Sequence, residues 1–454
     1  MSGCYLAIHS HPQGAAARPP DPPPGRGLPH VNRRSTNWAG NIGFAAERLH
    51  EPATVAELQT AVARAAKARA LGSGHSFNAV ADTPGELVSL ARLPRTMELD
   101  TAQGTVQVGA GVRYAELAQW LQERGRALHN LGSLPHISVA GSCATATHGS
   151  GDANGNLATA VEALELVTAE GDLVRLSRAE HGSEFDGMVV ALGALGVVTA
   201  MTLRTGPDFD VAQRVYEDLP LEAVEEHFDE ITGAAYSVSL FTRWREPVAD
   251  QVWVKHRVGD PRPAGAEEGF FGAPPARGPR HPVPEMAAEN CTEQLGLAGP
   301  WSERLPHFRP GSPPSSAGAE LQAEYLLPRT AAVAALRALE PLRDRIAAVL
   351  QICEIRTIAA DELWLSPSYR QDTVGFHFTL VPDTAAVLPV LEQIEERLAP
   401  LGAVPHWGKL FTAPPGALLE RYSRLPDFAA LARRFDPGGK FANDFLRDHV
   451  LGGA

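Results

Sequence analysis

A glycine-rich turn early in the chain restricts the folds that the chain can adopt. The turn reads Leu71-Gly72-Ser73-Gly74-His75-Ser76-Phe77, and it follows a short strand and a helix that begins at the capping box Thr54-Val55-Ala56-Glu57. Two glycines one residue apart allow a ligand to approach the backbone closely, so that N–H groups can face phosphate oxygens. The turn therefore favours a dinucleotide-binding fold.

The same turn departs from the nicotinamide-binding fingerprint. That fingerprint has a third glycine where the helix packs on the strand, and Phe77 occupies this place. His75 instead places a nucleophilic imidazole beside the cofactor. A nicotinamide has no use for this group, whereas an electrophilic flavin ring could be tethered by it. The alternative is a polar turn whose histidine only caps a strand.

Chain length and net charge restrict the classes of substrate and partner that this protein can have. The 454 residues are enough for two or three domains. The net charge of −13 comes from interspersed acidic and basic residues, whereas nucleic-acid-binding proteins concentrate Lys and Arg. We expect a small, uncharged or weakly charged substrate and no nucleic-acid partner.

The four cysteines have neither metal-ligand nor disulfide spacing, which predicts a reducing, cytoplasmic location and no metal site. No apolar run approaches the roughly 18 residues of a membrane span, so no membrane association is expected. Residues 1–31 lack a positive start followed by an apolar stretch. They are rich in proline and are predicted to be a disordered leader, which the natural protein need not contain.

A second tract of glycine and hydroxyl residues follows about 60 positions later. It runs through 132–142 and continues through 145–151. Such residues supply N–H and O–H donors to a pyrophosphate and let an aromatic ring lie close to the backbone. Two tracts fit a long cofactor that needs several backbone contacts. A set of glycine turns in a small-residue fold is the alternative.

The second half of the chain reads as an antiparallel sheet covered on one face by helices. The predicted strands are Gln351–Ile358, Thr373–Leu380 and His406–Phe411. The predicted helices are Thr330–Leu350, broken at Pro341, and Asp383–Leu398.

Strand alternation collects polar groups on one face of this sheet. Period two puts Glu354 and Arg356 on one side of their strand, and His377 and Thr379 on one side of the next. Lys409 follows on the third strand. Burying these groups without a ligand is costly, so a covered cleft of this kind would suit a polyol or sugar. A solvated sheet face with cross-strand ion pairs is the alternative.

These motifs resemble those of the vanillyl-alcohol-oxidase type of FAD-dependent oxidoreductase, in its aldonolactone and alditol oxidase branch. The resemblance covers roughly residues 36–447. The segments that carry it, in family order, are Gly72–Ser76, Ser133–Gly141, Thr147–Gly151, Glu354–Arg356, Pro405–Lys409 and Asp436–Phe441.

The resemblance implies an α+β fold with a two-part FAD-binding domain of PCMH type and an antiparallel-sheet substrate (cap) domain covered by helices. It implies the FAD-binding domain over 32–206, the cap domain over 207–408, and a C-terminal segment, 409–454, that returns to the FAD domain, while the leader over 1–31 has no counterpart in it. It also implies FAD attached covalently through His75, and a monomer. The positions that match FAD-holding residues are Ala70, Leu71, Gly72, Ser73, Gly74, His75, Ser76, Ser133, Ser138, Gly141, Thr145, Thr147, His148, Val198 and His406.

The substrate pocket implied by the resemblance is lined by Ser133, Glu354, Arg356, Thr379 and Lys409. The expected reaction oxidises the terminal hydroxymethyl of a polyol such as xylitol or sorbitol to the aldose, with dioxygen reduced to hydrogen peroxide. Lys409 and Arg356 are the candidate cations that stabilise developing negative charge. The base is Lys409, His377 or a water, and Glu354, Thr379 and Ser133 hold neighbouring hydroxyls.

Two other functions stay open at this point. A sugar-1,4-lactone oxidase or dehydrogenase, of the gulonolactone or galactonolactone type, carries the same His-Trp-x-Lys run and Glu-x-Arg pair. A non-catalytic flavin- or sugar-binding protein would keep the pocket without turnover. Gly132, beside Ser133, leaves space near the expected ring, which fits access of dioxygen, although a simple turn glycine explains it equally.

Overall fold

The computed structural model describes residues 36–261, 268–311 and 319–452. The leader predicted over 1–31 lies outside these residues. Among the described residues, no helix combines the length and the apolar character that crossing a bilayer requires.

The N-terminal half of the described chain holds two main sheets. A three-stranded parallel sheet has the order Arg48–His50, Glu86–Ser89, Ala68–Leu71. A five-stranded antiparallel sheet has the order Met97–Asp100, Thr105–Gly109, Val197–Arg204, Val161–Val167, Leu173–Ser177. Arg126–Ala127 and Gly206–Pro207 form a separate short antiparallel pair. The sequence predicts a β-hairpin over 163–177, around Glu170-Gly171, and a strand over 196–204, and both are confirmed.

The third main sheet is antiparallel and has eight strands. Their order is Ala298–Pro300, Asp210–Pro220, Val248–Arg257, Ser237–Thr242, Leu350–Ile358, Thr373–Leu380, Leu321–Pro328, Val404–Pro405. No strand is predicted from the sequence at 210–220 or 321–328, and both are long strands of this sheet.

Thirteen α-helices lie within the described residues. Their bounds are Val55–Arg64, Tyr114–Gln122, Val139–Ala144, Arg178–His181, Asp186–Val189, Leu221–Glu226, Phe228–Thr232, Trp301–Arg304, Ala332–Leu339, Arg343–Val349, Thr384–Leu398, Leu425–Phe435 and Asp444–His449. The break predicted at Pro341 is confirmed, because a 3₁₀ turn, Glu340–Leu342, separates two of these helices.

One face of the eight-stranded sheet is apolar and covered by helices. Val374, Phe376 and Phe378 are fully buried on that face. They share a core with Ile346 and Leu391 from the covering helices. The opposite, polar face is left to line a cleft, so the predicted α+β fold with a helix-covered antiparallel sheet is confirmed.

The C-terminal segment packs on the N-terminal half of the chain. Phe441, Leu446 and Val450 are buried in the same core as the helix Val55–Arg64. Lys440 Nζ donates to the carbonyl of Val62 at 2.7 Å. The division at residue 206 stays a prediction, because all described residues belong to one compact unit.

The strand predicted over 406–411 is wrong. Only Val404–Pro405 is a strand there, and the chain then turns, with Lys409 N donating to the carbonyl of His406 at 3.0 Å. The carbonyl of Gly408 accepts from Phe77 N at 2.8 Å, and that of Lys409 from Asn78 Nδ2 at 2.8 Å. The carbonyls of this segment are therefore bonded to Phe77 and Asn78, while its amides at His406 and Leu410 donate to the carbonyls of Glu324 and Gln322 on the strand Leu321–Pro328.

Candidate active site

One cleft collects the residues singled out in the sequence. Its cavity volume is about 260 Å³, and it is lined by both glycine tracts and by the polar face of the eight-stranded sheet. The predicted site residues that line it are Ala70, Leu71, Gly72, Ser73, Gly74, His75, Ser76, Ser133, Ser138, Gly141, Thr145, Thr147, His148, Val198, Glu354, Arg356, His377, Thr379, His406 and Lys409.

The glycine-rich turn is held by backbone contacts from two directions. Trp38 N donates to the carbonyl of Gly74 at 2.8 Å, and Asn37 Nδ2 donates to that of Ser76 at 2.9 Å. Gly74 has φ +67°, a conformation that glycine adopts without steric cost. The turn is thus fixed with its backbone toward the cleft.

His75 projects from this turn and stacks on Trp38. The ring centroids are 4.2 Å apart with 27° between planes. Burial, assisted by the positive charge of Lys409, lowers the pKa of His75 to about 3, so the ring is neutral at pH 7. Its Nε2 is buried and has no hydrogen-bond partner among the described residues. A neutral imidazole with an unsatisfied nitrogen is the chemistry a covalent flavin link needs.

The two glycine tracts meet at Ser138. A Cβ on Gly72 would lie 2.6 Å from Ser138 Oγ, and one on Gly141 would lie 2.8 Å from it. This hydroxyl is buried and is also without a hydrogen-bond partner among the described residues. Two bare backbones around an unsatisfied hydroxyl form a cradle that fits a polar, flat cofactor such as FAD.

The second tract adds hydroxyl groups along the same wall. Thr145 Oγ1 lies 3.3 Å from Thr147 Oγ1 and donates to the carbonyl of Gly141 at 3.1 Å. Val198 contributes an apolar surface from the five-stranded sheet. The wall therefore alternates polar and apolar contacts, as a ligand with a phosphate-bearing part and a ring requires.

The polar face of the eight-stranded sheet forms the opposite wall. Glu354 and His377 are directly opposite each other in the register of their strands. Arg356 Nη1 donates to Ser133 Oγ at 3.3 Å and lies 3.4 Å from Glu354 Oε2. Thr379 lies on the same strand as His377 and opposite Gln322. The predicted gathering of Glu354, Arg356, His377 and Thr379 on one face is confirmed.

Glu324 is a site residue that the sequence analysis missed. It lies on the strand Leu321–Pro328 and is 1% exposed. Arg356 Nη2 donates to its Oε1 at 3.0 Å, and His148 Nε2 lies 3.2 Å from the same oxygen. Burial alone would raise the pKa of Glu324, but the charges of His148 and Arg356 hold it well below its usual range. The carboxylate stays ionised beside the cleft.

Lys409 is held by another residue that was missed, Gln322. Lys409 Nζ donates to Gln322 Oε1, and His377 Nε2 lies 3.2 Å from the same oxygen. The Nε2 of Gln322 donates in turn to Glu320. Burial lowers the pKa of Lys409 to about 8 and that of His377 to about 3. At pH 7 the site therefore presents an ammonium and a neutral imidazole side by side.

His406 supports the end of the turn that precedes Lys409. Its Nδ1 accepts from Gly408 N at 3.1 Å, and its ring centroid lies 6.0 Å from that of His148. Burial holds the pKa of His406 well below its ordinary value. His406 is therefore a neutral ring at the border between the two walls.

A signal for the missed residues was present in the sequence. Glu320-Leu321-Gln322-Ala323-Glu324 alternates polar and apolar residues with period two. His307, also missed, lies in an irregular segment, and its Nε2 contacts Glu354 Oε1 at 2.8 Å. No periodicity could have placed that residue.

Comparisons with known proteins show the family to which the chain belongs. Residues 46–177 match the family model described as FAD binding domain, and residues 319–449 match that described as D-arabinono-1,4-lactone oxidase. The chain is 55% identical, over 92% of its length and 99% of the relative, to an alditol oxidase of Streptomyces sp.. It is 30% identical, over 92% of its length and 99% of the relative, to an L-gulono-1,4-lactone dehydrogenase of Mycobacterium tuberculosis.

Solved structures give the same fold at lower identity. A xylooligosaccharide oxidase from Myceliophthora thermophila superposes with a TM-score of 0.71 at 16% identity, over 92% of this chain and 94% of that one. The FAD-binding domain and the alditol oxidase relative thus define an FAD-dependent oxidoreductase. Within that class, the chain belongs to the family of alditol and aldonolactone oxidases.

Proposed function

We propose that this protein oxidises the terminal hydroxymethyl group of an acyclic polyol, such as xylitol or sorbitol, to the aldose. The polar wall of the cleft carries the proposal. Arg356, Glu354 and Lys409 offer donors and an acceptor side by side, with Ser133 and Thr379 at the border. A polyol has a hydroxyl on every carbon, and each needs a partner when it leaves water. The name of the 55% identical relative, alditol oxidase, supports the same substrate class.

FAD bound between the glycine tracts would take a hydride from the substrate carbon at N5 and pass the electrons to dioxygen, giving hydrogen peroxide. We infer that it is attached covalently through His75. The neutral ring and the unsatisfied Nε2 of this residue support the link. Gly72, Ser138 and Gly141 are the residues that would lie against it.

The residues of the polar wall have distinct parts in this proposal. Loss of the hydroxyl proton leaves alkoxide character on the substrate oxygen, and the fixed charges of Lys409 and Arg356 stabilise it. Glu354, Thr379 and Ser133 hold the adjacent hydroxyls and fix the reacting carbon. The proton acceptor is Lys409, His377 or a water; the low pKa of His377 keeps its ring neutral at pH 7 but also makes it a weak base.

Oxidation of a sugar-1,4-lactone is the second candidate. Residues 319–449, which include Glu324, Glu354, Arg356 and Lys409, match a D-arabinono-1,4-lactone oxidase model. A lactone carries fewer free hydroxyls than a pentitol. It would therefore leave more of this polar wall without partners, which favours the polyol.

Parallel assays separate the two candidates. Xylitol and sorbitol are compared with gulonolactone and galactonolactone, under air and under anaerobic conditions with an artificial electron acceptor. We expect kcat/KM for xylitol to exceed that for either lactone by at least about tenfold, or roughly 1.4 kcal/mol of transition-state stabilisation. A lactone that bleaches the flavin faster than xylitol overturns the substrate class. Absence of bleaching by either class points to a non-catalytic flavin protein.

Acid denaturation tests the tether separately. The denatured protein is examined for flavin fluorescence in a gel and for a flavin mass on the peptide that contains His75. Free FAD in the supernatant, with His75 unmodified, would contradict the covalent link. A cytoplasmic location and a monomeric state are further parts of the proposal, and gel filtration of the holoprotein tests the second.

A further inference from the structure

Lys255 is a buried cation that the proposed reaction does not use. It lies on the strand Val248–Arg257 and is 1% exposed. Its ammonium donates to the carbonyls of Leu305 and Pro306, the second at 3.1 Å, and contacts His307 Nδ1 at 3.0 Å. An ammonium has three donors, and these three acceptors satisfy all of them.

The contact between Lys255 and His307 decides where the imidazole keeps its proton. Burial lowers the pKa of Lys255 to about 7, so the side chain is an ammonium below that pH. An ammonium can only donate, so in this form His307 Nδ1 must hold a lone pair. The ring is neutral, since burial and the charge of Lys255 lower the pKa of His307 to about 4. The single ring proton is therefore on Nε2, which lies 2.8 Å from Glu354 Oε1.

The ring of His307 is also held in place. Trp253 and Phe241 approach it edge to face, with centroids 5.0 and 5.5 Å away. Its backbone N donates to the carbonyl of Ser133 at 3.2 Å, which ties it to the cleft. His307 thus has a fixed orientation as well as a fixed tautomer.

The hydrogen bond from His307 determines the state of Glu354. One carboxylate oxygen accepts from His307, and the other lies 3.4 Å from Arg356 Nη1. Burial would raise the pKa of Glu354, but Arg356 and His307 lower it well below its ordinary value. With the opposite tautomer, a lone pair would face this carboxylate, and the donor would be lost.

We propose that Lys255 is a positioning residue whose ammonium fixes the His307 tautomer, so that Glu354 is kept charged and oriented to accept a substrate hydroxyl. The proposal rests on the polyol oxidation proposed above. Lys255 does not touch the substrate and acts through His307.

Three kinetic variants test the effect on substrate affinity. In Lys255→Met, we expect the xylitol concentration for half-maximal anaerobic flavin reduction to rise about tenfold, which corresponds to about 1.4 kcal/mol. His307→Leu should show a similar rise. His307→Gln should restore most of the affinity, because its amide nitrogen can donate to Glu354 as Nε2 does.

A double-mutant cycle shows whether Lys255 acts through His307. Adding Lys255→Met to His307→Leu should change the half-saturating concentration less than twofold, since the intermediary is already gone. The matched control is Lys440→Met, because Lys440 also donates to buried backbone carbonyls, those of Val62 and Ala169, but away from the polar wall. The Lys440→Met substitution should lower the free energy of unfolding and leave the half-saturating xylitol concentration unchanged. Additive effects of Lys255→Met and His307→Leu would overturn the proposal.

A second readout needs no substrate. In protein labelled with ¹⁵N-histidine, the resonances assigned to His307 by their loss in His307→Gln should show Nε2 protonated and Nδ1 unprotonated. The opposite tautomer overturns the proposal even if kinetics change. If xylitol fails to reduce the flavin while the tautomer is as stated, the polyol assignment fails and the Lys255–His307 relationship stands.

Discussion

Glu324 and Arg356 form a buried ion pair although their strands are not neighbours in the sheet. The strand Thr373–Leu380 lies between them, and at the crossing point it carries Gly375. Arg356 Nη2 reaches Glu324 Oε1 at 3.0 Å over this residue. A Cβ at Gly375 would lie 3.4 Å from the same oxygen. The missing side chain leaves room for a salt bridge that passes across the central strand.

Replacing Glu324 tests how much this ion pair contributes to the free energy of unfolding. Glu324→Gln leaves the buried Arg356 with one carboxylate, Glu354, and removes the charge that faces His148. We expect the free energy of unfolding to fall by about 1–3 kcal/mol, because the buried Arg356 keeps Glu354 but loses its second charged acceptor. Urea unfolding of the holoprotein measures it.

The matched control for this variant is Glu362→Gln. Glu362 pairs with Arg370 at 2.8 Å, but the two side chains are 61% and 65% exposed. Solvent screens such a pair, so we expect a change below about 1 kcal/mol. Equal losses in both variants would show that the buried pair has no special weight.

The sequence predicted one wall of the site well, for a physical reason. Glu354, Arg356, His377 and Thr379 belong to long strands with buried apolar partners, and period two fixes which side each residue takes. Gln322 and Glu324 obey the same rule, and only the omission of their strand hid them. Local periodicity was enough for these residues.

Other parts of the site depend on contacts that have no local signature. His307 contacts Glu354 from an irregular segment, and Lys255 contacts His307 from the strand Val248–Arg257. The segment after Pro405 has an apolar composition typical of a strand, yet its carbonyls bond to Phe77 and Asn78. Such long-range backbone partners override local propensity.

A substitution at Gly72 tests the cradle. In Gly72→Val the new Cβ would lie 2.6 Å from Ser138 Oγ, in the space between the two glycine tracts. We expect most of the bound FAD to be lost, while the circular dichroism of the protein stays unchanged. Gly206→Val is the control, because nothing lies within 4 Å of a Cβ there. Full flavin content in Gly72→Val would remove Gly72 from the cofactor site.

The pH profile tests the charge of Lys409. Burial lowers its pKa to about 8, so the ammonium is present at pH 7 and is lost as pH rises through about 8. If the ammonium stabilises the developing alkoxide, kcat/KM for xylitol falls over that range. In Lys409→Met we expect this pH dependence to disappear and the rate of flavin reduction by xylitol to fall at least about 100-fold, with FAD still bound. A rate that rises through pH 8 would make Lys409 the base.

Arg69 offers a stability prediction at the base of the glycine-rich turn. Its buried guanidinium donates to the carbonyls of Leu192 at 2.6 Å, Phe441 at 2.9 Å and Gly193 at 3.1 Å, and also to that of Val80. One side chain therefore joins three separate segments to the strand that leads into the turn. Arg69→Leu leaves these carbonyls without their donor, and each buried unsatisfied group costs about 1–3 kcal/mol.

We expect Arg69→Leu to lower the free energy of unfolding by at least about 3 kcal/mol, measured at equal FAD content. Arg69→Lys should recover only part of the loss, because one ammonium cannot match the spread of a planar guanidinium. Arg64→Lys is the control, because Arg64 is exposed at the end of the helix Val55–Arg64. Its free energy of unfolding should stay within about 0.5 kcal/mol of that of the parent. If Arg69→Lys unfolds like the parent, the charge of Arg69 is what matters, and its fork of donors does not hold the segments together.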